Sequence, residues 1–305
     1  MQQESSRASR SLSDVHAHAI INPAAGWGRG ARIWPRVRPI FETAGWTLSE
    51  SLTERRGHAI ELAASAAADV VIAVGGDGTV HEVANGLLKT GNQAALGVVP
   101  VGTGSDFARA LRLPRDPLAA ARALVTAERR RIDVGEVNGR CFLTISGVGF
   151  DGEVAQQVNT WPKIFGGTLM YVLGILKNLV TYSPVDVDIV LDGQPQRERL
   201  FLIAVGNTAW NAGGMWLVPP AQPDDGIFDI VIAGPLTKLE ALLVLPKVFS
   251  GRHLGHPKVR QARAREVRIT SATPLAIQAD GESIGRLPAT YTVRPGALTV
   301  LAPAP

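Results

Sequence analysis

The chain has 305 residues, 46% of them hydrophobic and 19% charged, which is the profile of a globular protein long enough for two domains. A net charge of +4 permits an anionic ligand or a membrane surface without requiring either. A single cysteine, Cys141, excludes an intrachain disulfide and indicates a reducing compartment, so we expect a cytoplasmic protein. Residues 1–14 are polar, lack the apolar segment of a signal peptide and are predicted to form a disordered tail.

Strands alternate with helical patterns from the start of the apolar sequence to about residue 129. The predicted strands are residues 16–21, 46–51, 69–74 and 95–99. This alternation predicts a mostly parallel sheet with helices on both faces, in an α/β domain over residues 15–130. Ligands of such sheets bind beyond the carboxyl ends of the strands, so we expect the polar turns that follow the strands to line one edge.

The third predicted strand runs into the sequence Gly75-Gly76-Asp77-Gly78-Thr79-Val80-His81-Glu82. Three glycines let the backbone approach a ligand closely, and the helix that follows offers N–H groups and a partial positive charge to a phosphate. Thr79 and Glu82 have the spacing of a capping box, which predicts that the helix begins at Thr79. An acid would repel a phosphate directly, so Asp77 indicates a magnesium nucleotide.

Strand-like runs dominate from about residue 131 to residue 289 and predict a second, antiparallel domain. Turns such as Asn138-Gly139 and Asp192-Gly193 have the composition of tight hairpins. We predict one strand over residues 259–270, helices near residues 166–180 and 237–249, and a return of the chain to the first domain over about residues 290–305.

The helical stretch at residues 166–180 is apolar nearly all round. One face carries Leu169, Val172, Leu173 and Leu176, and the other side carries Met170, Tyr171 and Ile175. Such a helix is either buried or lipid-facing, and at about 15 residues it is too short to span a bilayer. The flanking Lys163 and Lys177 favour a role at an anionic membrane surface over a place in the core.

Several other site classes are disfavoured by the sequence. There is no GxxxxGK[ST] motif, and the six histidines show no metal-ligand spacing. Residues 147–152 match GxGxxG, but the acid expected about 20 residues later is missing, so we do not expect a dinucleotide there. The basic stretch at residues 252–268 has no interleaved aromatic residues, and we expect no nucleic-acid partner.

Six motifs together resemble those of a known family. In chain order they are Asn-Pro-x-x-Gly, Thr-x-x-x-Gly-His-Ala, Gly-Gly-Asp-Gly-Thr-x-x-Glu, Pro-x-Gly-Thr-x-x-Asp-Phe-Ala-Arg-Ala-Leu, Gly-x-Gly-Phe-Asp and a late Asp-Gly-Glu. The set is similar to that of the diacylglycerol kinase catalytic family, in particular its bacterial soluble lipid kinases, from about His16 to Leu301. The resemblance implies an α/β nucleotide domain followed by a β-sandwich, with ATP and Mg²⁺ as cofactors.

The resemblance also implies roles for individual residues. Asp77 and Asp106 would join a water and magnesium network at the nucleotide. Asp225 would bind a second magnesium ion with the carbonyls of Gln222 and Ile227. The nucleotide contacts carried over from the family are Asn22, Pro23, Ala24, Ala25, Gly26, Thr53, Gly76, Asp77, Gly78, Thr79, Val80, His81, Glu82, Thr103 and Asp106.

The late Asp-Gly-Glu motif would supply the catalytic residues. In the family this motif lies opposite the ATP phosphates and its Glu accepts the proton, which assigns Glu282 as general base. Asp280 would orient Glu282 or the magnesium-bound water. A hairpin turn of the Asp-Gly type explains the same residues without catalysis. Ala25, His81 and Ser105 depart from the residues that the family has most often, and each changes a polar contact near the nucleotide.

The sequence therefore predicts an ATP-dependent lipid kinase that phosphorylates a hydroxyl of a membrane lipid such as diacylglycerol and associates peripherally with the membrane. An NAD kinase, the nearest alternative enzyme, should lack the Pro-x-Gly-Thr-x-x-Asp-Phe-Ala-Arg stretch. A non-catalytic nucleotide- or lipid-binding protein of this fold should have lost an acid of the Asp77 or Glu282 motif. Four points stay open, namely the acceptor lipid, the nucleotide donor, a homodimeric state and whether Asp280 or Glu282 is the base.

Overall fold

The computed structural model describes residues 15–161 and 167–304, which divide into two compact units. Unit 1 holds the described residues up to Arg130 together with those from Leu298 onwards, and unit 2 is Arg131–Ala297. The predicted tail at residues 1–14 and the flanking Lys163 lie outside the described residues. Among the described helices, none has the length and apolar character that crossing a bilayer requires.

Unit 1 is built on a parallel sheet with strand order β2-β1-β3-β4. Its strands are β1 (His16–Ile21), β2 (Thr47–Leu52), β3 (Val70–Gly75) and β4 (Ala95–Pro100). The two inner strands β3 and β4 are buried along their whole length, which is why they read as continuous apolar runs rather than alternating ones.

Five helices belong to unit 1. They are α1 (Ala25–Thr43), α2 (His58–Ser65), α3 (Asp77–Thr90), α4 (Asp106–Ala110) and α5 (Pro117–Val125). Helices α2 and α3 pack together closely, because a Cβ atom on Gly86 would lie 2.4 Å from the carbonyl oxygen of Ile60. Helix α3 ends at Gly91, whose φ of 65° is the left-handed conformation typical of a helix C-terminus.

The last strand of the chain, β18 (Ala289–Ala302), confirms the predicted return to the first domain. Val300 pairs in parallel with Leu96 of β4, so this strand extends the sheet of unit 1.

Unit 2 is an antiparallel sandwich. One sheet has six strands in the order β14-β13-β10-β7-β16-β17. The strands of unit 2 and those that enter it are β5 (Glu128–Val137), β6 (Arg140–Phe142), β7 (Ile145–Gly149), β8 (Val185–Leu191), β9 (Gln194–Leu200), β10 (Leu202–Gly206), β11 (Trp210–Asn211), β12 (Met215–Trp216), β13 (Phe228–Ala233), β14 (Val259–Ala264), β15 (Glu266–Thr270), β16 (Ala276–Ala279) and β17 (Glu282–Arg286). With β18 returning to the sheet of unit 1, the structure confirms the predicted fold class.

The inner strands of the six-stranded sheet of unit 2 are buried on both faces. Ile203 and Val205 of β10 pack into the core of the sandwich, while Ala204 packs into a second cluster on the opposite face. That second face is covered by helices, which are α6 (Phe150–Thr160), α7 (Gly167–Thr181) and α8 (Lys238–Val248). A 3₁₀ turn at Arg252–Gly255 follows α8.

Two predicted elements differ from the structure. The predicted strand over residues 259–270 is two strands in different sheets, broken at Arg265. The break arises because the Arg265 N–H donates to Asp192 Oδ1 at 2.9 Å, a carboxylate in the β8–β9 turn. Helix α3 begins at Asp77 rather than Thr79, and its N-cap is Gly76 without a side-chain cap.

Candidate functional site

The turn after β1 is tied to the first turn of α3 in unit 1. The side-chain amide of Asn22 donates from Nδ2 to Thr79 Oγ1 at 3.0 Å. Its Oδ1 accepts the Ala24 N–H at 3.1 Å, which shapes the turn that Ala25 and Gly26 complete. The sheet topology thus brings two of the predicted nucleotide-binding stretches, 57 positions apart at this contact, to one edge of the sheet.

Close backbone approaches explain some of the glycines at this edge. A Cβ atom on Gly102 would lie 2.7 Å from the Cα of Gly76, so the turns after β3 and β4 are in contact. Gly26 has a φ of 57°, and a Cβ atom there would lie 2.3 Å from the carbonyl oxygen of Val101. These glycines are needed by the protein's own packing.

Gly78 is different, because neither its φ nor its neighbours in the described part of the chain require a glycine there. Apart from its chain neighbours and the backbone of its own helix, no atom lies within 4 Å of the position that its Cβ would occupy, and it lies in the first turn of α3 without a left-handed φ. A glycine is costly in a helix compared with alanine. We call the turn of Gly76, Asp77 and Gly78 at the start of α3 the glycine cradle. Open space above a helix N-terminus suits the close approach of a phosphate, so the glycine cradle fits the phosphates of a nucleotide.

The two acids predicted for the nucleotide site meet at one corner. Asp77 Oδ1 accepts the Phe107 N–H at 3.3 Å, which joins the start of α3 to the start of α4. The neighbouring Asp106 is only 5% exposed and pairs with Arg109, whose Nη1 lies 3.1 Å from Asp106 Oδ1. The residue before it, Ser105, does not cap α4, since its hydroxyl donates to the Gly102 carbonyl at 3.3 Å.

The predicted capping box of Thr79 and Glu82 is wrong. Glu82 instead accepts the N–H groups of Gly57 at 2.9 Å and Ala59 at 3.3 Å. The first N–H groups of a helix lack intrahelical partners, and the carboxylate of Glu82 satisfies those at the start of α2. Glu82 therefore holds together two segments of unit 1 beside the predicted nucleotide site.

The remaining predicted nucleotide contacts lie on the same loops and first helical turns. Val80 is 2% exposed, so its side chain belongs to the core and only its backbone is available to a ligand. The carbonyl of Thr103 accepts a hydrogen bond from Arg115 Nη2 at 3.1 Å. Thr53 follows β2, and its N–H donates to Ile21 at the end of β1 at 2.9 Å. Pro23 lies in the turn after β1, and His81 lies in α3.

In unit 2 the Asp-Gly-Glu motif forms the turn between β16 and β17. Asp280 and Gly281 have left-handed φ values of 50° and 80°. The carboxylate of Asp280 accepts the N–H of Leu143 at 2.9 Å, and the N–H and hydroxyl of Thr144 at 2.7 and 2.6 Å. These three hydrogen bonds fix the turn, and Glu282 is the first residue of the strand that leaves it.

The predicted metal loop of unit 2 is closed by protein contacts. Asp225 pairs with Arg263, and its Oδ1 accepts the Ile227 N–H at 3.3 Å. Gln222 lies in the same loop. Within residues 15–161 and 167–304, no group of three or more His, Cys, Asp or Glu side chains could hold a metal ion. One carboxylate with carbonyl oxygens still suits Mg²⁺, which keeps several waters, provided that Arg263 moves aside.

Sequence reasoning missed Asp133, which is buried beside this loop. Its carboxylate accepts the Gly226 N–H at 2.6 Å and the Gly296 N–H at 2.7 Å. Asp133 is 3% exposed and stands between Ile132 and Val134 in an apolar run. An acid inside an apolar strand was the signal that could have identified it, because buried carboxylates need hydrogen-bond donors.

A cavity of about 90 Å³ lies between the six-stranded sheet of unit 2 and the helices that cover it. Burial lowers the pKa of His253, and the contact of its Nε2 with the Leu217 carbonyl at 2.9 Å opposes that shift. Among the described residues that line the cavity, the polar ones are His253, Asp151 and Asn211, and the apolar ones include Phe150, Val154, Ile175, Leu179, Val231 and Val244. No pattern in the sequence predicted this cavity.

The helices beside this cavity expose apolar side chains on their outer surfaces. Lys238 at the start of α8 donates to the carbonyl of Val180 near the end of α7, so the two helices meet there. We call the exposed apolar side chains of these helices the leucine surface, and it consists of Leu169, Leu173, Leu176, Val180, Leu239, Leu242, Leu243 and Phe249. Ile175 and Leu179 of α7 are buried, so this helix has both a core face and an exposed apolar face.

Comparison with known proteins gives a consistent result along the chain. Residues 16–137 match the family model of the diacylglycerol kinase catalytic domain, and residues 144–302 match the YegS C-terminal NAD kinase beta sandwich-like domain. The chain is 34% identical over 278 residues to a diacylglycerol kinase of Staphylococcus haemolyticus, covering 90% of this chain and 84% of that protein. It is 35% identical to a diacylglycerol kinase of Bacillus subtilis, with 90% and 92% covered.

Solved structures share the fold. The crystal structure of a diacylglycerol kinase from Bacillus anthracis superposes with a TM-score of 0.74 at 23% identity, covering 94% of this chain and 96% of that one. A second structure from that organism gives a TM-score of 0.80 at 25% identity over 97% of both chains. By its two domains and by its relatives, the chain belongs to the diacylglycerol kinase family.

Proposed function

We propose that this protein transfers the γ-phosphoryl group of ATP to a hydroxyl of a membrane lipid such as diacylglycerol. The relatives named diacylglycerol kinase support the choice of diacylglycerol as acceptor. Within this chain, the choice of a lipid acceptor rests on the apolar cavity of unit 2, which lies beside the helices that expose the leucine surface. A soluble dinucleotide acceptor is polar and would need neither an apolar cavity nor an exposed apolar surface.

The proposed donor site is the glycine cradle of unit 1. The open space above Gly78 and the N-terminus of α3 would receive the phosphates. Asp77 and Asp106 are the acids of this edge that would hold a magnesium ion, directly or through water. Bound there, Mg²⁺ would neutralise charge on the transferred phosphoryl group.

The proposed acceptor site is in unit 2, where the cavity would take part of an acyl chain. An acyl chain gains about 0.8 kcal/mol for each CH₂ group removed from water, so even a short buried segment contributes to acceptor binding. The leucine surface would place this unit at the membrane, where Lys177, Lys238 and Lys247 are exposed beside it and attract anionic headgroups. The acceptor could then enter without crossing water.

In the proposed reaction, the lipid hydroxyl oxygen forms a bond to the γ-phosphorus while the bond from that phosphorus to ADP breaks. The hydroxyl proton passes to the carboxylate of Glu282. Asp280 does not compete for this role, because its carboxylate already accepts three hydrogen bonds from Leu143 and Thr144. Its contribution is to hold the turn from which Glu282 projects.

The test supplies γ-labelled ATP and Mg²⁺ with either diacylglycerol in anionic vesicles or NAD in solution. We expect labelled phosphate in the lipid and none in NAD. Label in NAD alone, or in neither acceptor, would refute the proposal.

An Ala241→Phe variant, which fills the cavity, should separate acceptors by chain length. Ala241 lines the cavity and is only partly buried. We expect the KM for long-chain diacylglycerol to rise while the KM for a short-chain analogue and for ATP stay unchanged. An unchanged KM for the long-chain lipid would exclude the cavity from the acceptor site.

A further inference from the structure

Gln278 is a fully buried polar side chain in β16, an otherwise apolar strand. Its neighbours Ile277 and Ala279 are 1% exposed, and Gln278 itself is 0% exposed. A buried amide destabilises a protein unless both its donor and its acceptor are paired. A glutamine at this position therefore needs two partners.

The two partners of Gln278 lie on opposite sides of the amide. Its Oε1 accepts the Gly281 N–H at 2.8 Å, and its Nε2 donates to Asp151 Oδ2 at 2.6 Å. An N–H can only donate and a carboxylate can only accept, so these partners fix the orientation of the amide. The side chain thus links the Asp280–Glu282 turn to the first turn of α6.

The surrounding chain leaves room for this link. Gly147 of β7 stands opposite Gln278, and a Cβ atom there would lie 2.2 Å from Asp151 Oδ2 and 3.1 Å from Gln278 Nε2. Gly152 brings α6 against β16, because its Cβ atom would lie 2.0 Å from the Ala276 carbonyl oxygen. This explains the GxGxxG match at residues 147–152 by packing rather than by a dinucleotide.

The far end of the link reaches the cavity, since Asp151 is one of the polar residues that line it. The near end reaches Gly281, which directly precedes Glu282. We propose that Gln278 is a positioning residue, which sets the place of Glu282 by tying the Asp280–Glu282 turn to the wall of the acceptor cavity. This inference rests on the proposed function, because it takes Glu282 as the base of the lipid kinase reaction.

Gln278→Glu tests the link with almost no change in shape. The new carboxylate faces Asp151, and two carboxylates cannot share the contact unless one is protonated. We expect kcat for lipid phosphorylation to fall about 10- to 100-fold, the scale of a misplaced catalytic group. The KM for ATP should stay unchanged. Because protonation of the pair restores a hydrogen bond, the deficit relative to wild type should shrink as the pH is lowered.

The double variant Asp151→Asn, Gln278→Glu reverses donor and acceptor. The amide at position 151 can donate to the carboxylate at position 278, whose other oxygen still accepts the Gly281 N–H. We expect kcat to recover to within about threefold of wild type, which a loss of general stability would not predict. Gln261→Glu, the same change on an exposed strand position, is the matched control and should behave as wild type.

Wild-type kcat in Gln278→Glu, or a deficit that the double variant does not reduce, would overturn the proposal. If Gln278→Glu does not fold, Gln278→Asn, which is too short to reach both partners, should show the same fall in kcat. Hydrogen exchange at the Gly281 amide separates this proposal from the proposed function. In the Gln278→Leu variant, the Gly281 amide hydrogen should exchange faster than in wild type, whether or not lipid is phosphorylated. Unchanged exchange at this amide would show that the link is absent.

Discussion

Replacing Gly78 by alanine should separate the stability of this protein from its affinity for ATP. Alanine is favoured over glycine by up to about 1 kcal/mol within a helix, and roughly half of that is expected in the first turn of α3. Outside its chain neighbours and its own helix backbone, no atom lies within 4 Å of the added methyl group, so no clash with another part of the protein offsets this gain. We therefore expect the melting temperature to rise by about 1–2 °C.

The same methyl group should weaken nucleotide binding, because it fills space that the phosphates need. We expect the Kd for magnesium ATP to rise at least tenfold, which corresponds to about 1.4 kcal/mol. Differential scanning fluorimetry and isothermal titration calorimetry on one preparation measure both effects. A Gly78→Ala protein that is stabilised and binds ATP as tightly as wild type would refute the assignment of this cradle to phosphate.

Gly102→Ala is the matched control, since it also adds one methyl group at the same edge. Its Cβ would lie 2.7 Å from the Cα of Gly76, so we expect a loss of about 1–3 kcal/mol in the free energy of unfolding. Stabilisation of Gly78→Ala together with destabilisation of Gly102→Ala would show that Gly102 is required by packing and that Gly78 is not.

Three further variants test other parts of the molecule. Glu282→Gln should lower kcat by roughly 10²-fold or more at unchanged KM for ATP, because the proton acceptor is lost. Asp225→Asn should abolish a rise in melting temperature on adding Mg²⁺, if the ion replaces Arg263 at this carboxylate. The double variant Leu173→Asp, Leu239→Asp should reduce co-sedimentation with anionic vesicles, since it places charge on the leucine surface.

Each of these expectations has a contrary outcome. Near-normal kcat in Glu282→Gln would remove the base assignment. A wild-type response of the Asp225→Asn protein to Mg²⁺ would leave the loop as a structural turn. Wild-type vesicle binding by the leucine variant, with ATP binding as the check on its folding, would show that this face does not contact the membrane.

Local chemistry in the sequence determined the order of elements and the predicted turns. An apolar run, a glycine turn and a helical pattern around Asp77 need only neighbouring residues to be recognised, and the same holds for the hairpin turns at Asn138 and Asp192. The sequence also predicted which strands precede the loops of the candidate site. It therefore gave both domains in chain order.

Tertiary structure decided the partners of the polar groups. Asp280 is 136 positions from Thr144, and Glu82 is 25 positions from Gly57, so no local pattern could pair them. The predicted capping box of Thr79 and Glu82 was wrong because the N–H groups at the start of α2 bind the carboxylate of Glu82 instead. Gln278 is the same case, since its two partners lie on different elements.

The sequence also could not predict which face of the sheet each buried side chain of unit 2 packs on. Every residue of β10 is apolar or glycine, so an alternation between the sandwich core and the helix-covered face leaves no pattern to read. The cavity depends on how α6, α7 and α8 cover that face. The apolar residues of the sequence are stabilised by burial wherever they pack, but only the packing of the sheets and helices determines which neighbours each of them contacts.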